Sequence, residues 1–103
     1  MEDKVREGIF EVIESFAIRN RNEFYLIGKM KEGIVKENWF LNVPFNPSLA
    51  LTLRIKSIEE VEFSSERKNY TLIVIEADSE LTDFLLDFNI GSECLDVTIE
   101  GED

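Results

Sequence analysis

A chain of 103 residues has room for one domain with one core and not for two. Its 44% hydrophobic and 11% aromatic content excludes an intrinsically disordered chain, and its single cysteine excludes an intrachain disulfide. The net charge of −11 disfavours nucleic acid and anionic membrane surfaces as partners.

In chain order, Ile9 to Ile18 reads as a strand, with Phe10, Val12, Phe16 and Ile18 on one parity, interrupted by Glu14. Arg19 to Asn22 is a polar turn. Phe24 to Met30 is a second strand, with Phe24 and Leu26 on one face and Tyr25 and Ile27 on the other. Gly28 inside it marks a bulge or a barrel bend. Lys31 to Gly33 reads as a turn whose glycine is free to take positive φ. Trp39 to Val43 is a third strand, ended by Pro44 and Pro47. Leu49, Leu51, Leu53 and Ile55 alternate cleanly, and Val61 and Phe63 extend the same parity. Ser64 to Asn69 is a polar hairpin loop, and Tyr70 to Ala77, apolar on both faces, is a central covered strand.

The period then changes. Leu81, Phe84, Leu85 and Phe88 fall at i, i+3, i+4 and i+7, one face of a short helix near residues 79–89. Ser79 or Asp78 can cap its start and Gly91 can end it. Leu95, Val97 and Ile99 alternate as a last strand. Short strands at regular spacing with one helix predict a mostly β single domain over residues 1–103, a small barrel rather than a βαβ sheet.

The stretch from Phe10 to Val43, with an apolar strand reaching Phe16, a basic turn at Arg19 to Arg21, Gly28 and Gly33, resembles the second domain of translational GTPases such as elongation factor Tu. Ile55 to Phe63 resembles the strand that follows, and Tyr70 to Val97 fits the remainder more loosely. The resemblance implies a closed Greek-key β-barrel of about six strands. It implies no GTP hydrolysis, because no Gly-rich phosphate loop is present. Asn22 stands where that family usually has glycine after the basic turn, and Glu37-Asn38 where it has Gly-Asp.

The chemistry available is narrow. No histidine is present, which removes the commonest general base and metal ligand, and one cysteine cannot build a zinc site. Cys94, between Glu93 and Asp96, reads as a small core or edge residue. Glu76, Asp78 and Glu80, or the helix pair Asp83 and Asp87, have oxygen ligands for Ca²⁺ or Mg²⁺, but neither has EF-hand spacing, and a solvated acidic face is the simpler reading. No cofactor and no metal are expected, and the chain is not expected to be an enzyme. An enzyme built on paired carboxylates ranks last.

Charge distribution speaks to partner class. Met1 to Lys68 holds 12 acidic and 11 basic residues, whereas Asn69 to Asp103 holds 10 acidic and none basic. Two binding readings follow. One is a protein-binding adaptor that uses Trp39 or the turn at Arg19 and Arg21. The other is an acidic immunity or inhibitor protein that neutralises a basic toxin, such as a nuclease, through Asp78, Glu80, Asp83 and Asp87. Both predict a protein partner and neither a membrane; self-association stays open. Met1 is followed by charged residues and not by an apolar leader, so the expected location is cytoplasmic.

Overall fold

Two-residue alternation of large apolar side chains gives six antiparallel strands, and a change of period gives one helix, among the described residues. The computed structural model describes residues 6–46, 49–63, 68–88, 90 and 93–99. In order these are β1 (Arg6–Ile18), a 3₁₀ turn (Arg19–Arg21), β2 (Glu23–Gly33), β3 (Phe40–Asn46), β4 (Leu49–Phe63), β5 (Lys68–Glu76), α1 (Ser79–Phe88) and β6 (Cys94–Thr98).

The strands close into a barrel in the order β1-β2-β5-β4-β3-β6. Hairpins join β3, β4 and β5, and β6 returns to lie beside β3, which is a Greek key. Closure leaves no outer strand at the ends of the sheet. Inside lie Phe10 and Val12, Phe24 and Leu26, Leu41 and Val43, Leu53 and Ile55, Ile73 and Ile75, and Leu95 and Val97, all buried. Each such side chain contributes about 1.5–3 kcal/mol on leaving water. The helix α1 crosses from β5 to β6 and turns Leu85 onto this core, with Leu81 and Phe88 partly buried against it.

Two bulges reset the parity that the sequence suggests. In β1 the register against β2 shifts between Val12 and Glu14, so Ile13 is an extra residue. Phe10 and Val12 point inward as expected. Beyond the bulge Ser15 and Ala17 take the inner side, and Phe16 is outside and 39% exposed. In β4 the register against β5 shifts between Ile55 and Ser57, making Lys56 the extra residue. Val61 therefore pairs with Tyr70 on the other face from Ile55 rather than continuing its parity. The side chain of Phe63 lies outside the described residues.

Other boundaries also move. β2 continues through Lys31 to Gly33, which does have positive φ (69°) but still pairs with Gly8. β3 begins at Phe40 and runs through Pro44, which pairs with Ala50. Its pairing with β6 stops at Asn42, so Pro44 sits where β3 has a ladder on one side only and a missing N–H is tolerated. Lys68 and Asn69 already belong to β5, while residues 64–67, Pro47 and Gly91 lie outside the described residues. Ile99 falls past the end of β6 and is exposed, and the exposed Cys94 opens that strand.

Candidate functional site

Each residue singled out from the sequence has a definite place, and most have a partner within the chain. Asp78 is the helix cap: its Oδ1 accepts the Leu81 N–H at 2.9 Å, satisfying one of the free donors of the first turn. Arg19 Nη2 donates to Asp83 Oδ1 at 2.7 Å, tying the β1–β2 turn to α1 through two side chains that are each more than half exposed. The basic turn and the acidic helix thus meet, although sequence reasoning assigned them to different partners. Arg21 Nε lies 3.3 Å from Glu23 Oε1. Trp39 is half-buried against the core, with Lys36 Nζ 5.9 Å from its ring centroid. No hydrogen bond or ion pair among the described residues joins Trp39 to Arg19 or Arg21.

The helix presents Glu80, Asp83 and Asp87 to solvent, with Phe84 and Leu86 also exposed. Phe84 was expected on the buried face. Instead Thr82 and Leu85 hold that position, and Phe84 meets Phe88 edge-on, centroids 5.0 Å apart. Thr82 is accommodated because its hydroxyl donates to the Ala77 carbonyl at 3.3 Å.

A cleft of about 470 Å³ opens where β4 passes from pairing with β3 to pairing with β5. Arg54, Lys56, Glu76 and Asn38 stand around it, with Leu81 of α1 on one wall. Its floor residues Leu53, Ile55 and Ile75 are at most 3% exposed. Arg54 reaches the Asn38 carbonyl at 3.4 Å and Lys56 is committed to Glu23, so both cations are already engaged. No group of three or more His, Cys, Asp or Glu among the described residues is arranged to hold a metal ion.

Sequence reasoning placed Tyr25 and Ile27 on the outer face of β2 but missed that Phe16 of β1 joins them there. Register places Phe16 beside Tyr25 and Tyr25 beside Val74; the next row is Glu14, Ile27 and Leu72. Phe16 and Tyr25 stack, centroids 5.0 Å apart with 3° between their planes. Ile13, the bulged residue, is 47% exposed on the same strand. Glu14 broke the parity of β1, and that irregularity was the available signal of the bulge.

A charged network borders this face. Glu23 is only 7% exposed although it lies on the outside of the barrel, because three side chains close around it. Lys56 Nζ donates to its Oε2 at 2.7 Å, the Tyr25 hydroxyl donates to its Oε1, and Arg21 approaches the same oxygen. The Lys56 hydrogen bond, followed by that from Tyr25, holds the Glu23 carboxyl below its ordinary pKa. The bond to Glu23 raises the pKa of both Tyr25 and Lys56. Lys56 follows the inward Ile55 on β4 and so stands on the outer side, where it meets Glu23.

Compared with known proteins, the chain matches no family model, no curated protein and no solved structure.

Proposed function

We propose that this chain is a protein-binding module rather than an enzyme, and that it docks its partner through the outer face of β1, β2 and β5. The observation that carries the reading is the stacked pair Phe16 and Tyr25 on the outside of the barrel, beside Ile13 and Ile27 and inside a charged border. An apolar, aromatic centre with a polar rim is the anatomy of protein interfaces, where Tyr and other aromatics carry much of the energy. The net charge of −11 favours a basic partner. The likeness to the second domain of translational GTPases remains part of this proposal on its sequence grounds, and such barrels serve many unrelated tasks.

The test is site-specific photo-cross-linking in cells of origin, with a benzophenone side chain replacing Phe16 or, as a control, the exposed Ile34 between β2 and β3. The expected result is a discrete protein adduct from position 16 and none from position 34. No adduct at position 16 overturns the reading.

One observation favours a second reading, the acidic inhibitor of a basic toxin. Glu80, Asp83 and Asp87 run along the exposed side of α1 with Phe84 and Leu86 nearby. Against it, Asp78 is engaged as a cap and Asp83 is paired with Arg19. On this reading Asp83→Lys with Asp87→Lys slows association with the toxin and flattens its salt dependence; unchanged rates dismiss it.

A further inference from the structure

Aromatic rings on this barrel are repeatedly covered by the chain's own cations. Lys29 Nζ lies 5.1 Å from the ring centroid of Tyr70, and Lys36 Nζ 5.9 Å from that of Trp39. The Arg54 guanidinium lies 4.7 Å from the ring of Phe40. All three are within cation–π range. The pair Phe16 and Tyr25 breaks the pattern: among the described residues no cation stands over either ring. Tyr25 is 8% exposed and Phe16 covers one of its faces, whereas Phe16 is 39% exposed. Glu14, two residues back on the same side of β1, is an exposed carboxylate. The nearby cations Arg21 and Lys56 both point to Glu23, on the other side of Tyr25.

Resting on the docking role proposed above, we infer that Phe16 and Glu14 form a receptor for an arginine side chain of the partner protein. The guanidinium stacks on the open face of Phe16, extending the parallel stack begun by Tyr25, and directs its N–H groups to the Glu14 carboxylate. Arginine suits this site better than lysine because its planar group can stack and form paired hydrogen bonds at once. A second copy of this chain is a poor occupant, since two bodies of charge −11 repel.

The experiment titrates the isotope-labelled full chain with a short arginine–glycine peptide and its lysine and citrulline counterparts, followed by amide and aromatic NMR shifts. The arginine peptide is expected to shift Phe16, Tyr25, Ile13 and Glu14, with the lysine peptide weaker by roughly two- to fivefold. The citrulline peptide is expected to leave these signals in place. Phe16→Leu, outside the core and therefore folded, is expected to abolish the local response, and Glu14→Gln to weaken it. Shifts spread over Glu80, Asp83 and Asp87, equal responses to arginine and lysine, or full retention in Phe16→Leu overturn the inference. A position-16 adduct in cells together with peptides that ignore Phe16 overturns the arginine receptor and leaves the docking face standing. No adduct, with peptides bound at Phe16, overturns the docking role instead.

Discussion

Phe16 and Tyr25 lie parallel on the outside of the barrel, across the β1–β2 ladder from one another, while their chain neighbours Ala17 and Phe24 pair on the inside. An aromatic pair in such an arrangement contributes about 0.5–1.5 kcal/mol beyond the area it buries. Phe16→Ala is therefore expected to cost only about 1–2 kcal/mol of stability, since the ring stays half in water. Phe10→Ala, which empties a fully buried site, is expected to cost about 3–5 kcal/mol. Urea unfolding of the two variants checks the difference, and equal losses would mean that Phe16 is part of the core.

The bulge that turns Phe16 outward is held by a glycine across the ladder. Gly28 pairs with Val12, and a Cβ on it would stand 1.9 Å from the carbonyl oxygen of Glu11. That neighbour is backbone, so relief requires β1 and β2 to separate. Gly28→Ala is expected to cost about 3 kcal/mol, at the upper end of overpacking effects. A near-neutral result in thermal unfolding would show that the bulge can relocate.

The architecture was largely legible because alternation needs only residue type: Phe24 and Leu26, Leu53 and Ile55, and Leu95 and Val97 fall inside as their spacing requires. The helix was legible from its change of period and its cap at Asp78. Bulges were legible only in part: Gly28 and the parity break at Glu14 pointed to one in the β1–β2 ladder, but which side chains it reverses was not, because one extra residue leaves composition unchanged. Ile13 and Lys56 are the extra residues, and the candidate face depends on the first. Phe16 is outward only because of Ile13, and beyond Lys56 the parity of β4 reverses, so that Ile58 faces the same side as Ile55. The pairing of Arg19 with Asp83 spans 64 positions and has no local signature. In the same way the prolines favoured a break at Pro44, because the one-sided ladder that accommodates it depends on where β6 ends.

The acidic residues of the helix divide into structural and free roles, and substitution separates them. Asp78→Ala removes the acceptor for the Leu81 N–H and is expected to cost about 1 kcal/mol. Asp87→Ala, fully on the solvent side, is expected to change stability by less than about 0.5 kcal/mol. Arg19→Ala, which breaks an exposed ion pair, is expected to cost about 0.2–1 kcal/mol, shrinking at high salt. A loss above that range for Arg19→Ala, measured by denaturant unfolding, would show that the turn and helix are held together chiefly by this contact.

The Glu23 network makes an acid-side prediction with a defined sign. Its carboxyl has a folded-state pKa below the ordinary value of 4.5, chiefly through the Lys56 hydrogen bond and then the one from Tyr25. A depressed carboxyl binds fewer protons folded than unfolded, so stability rises with pH through the interval between the two values. The contribution is therefore complete above pH 4.5 and fades as pH falls through the lowered native value. Tyr25 and Lys56 are raised and work at the opposite end: their share is present below their ordinary values of 10.0 and 10.5 and is lost as pH climbs through the raised ones. Glu23→Gln is expected to be less stable than the parent at neutral pH and to show a shallower loss between pH 5 and pH 2, so that the two curves converge in acid. Measuring unfolding midpoints of both proteins across that range tests the network directly, since parallel curves would mean that the Glu23 carboxylate is not the group that Lys56 and Tyr25 stabilise.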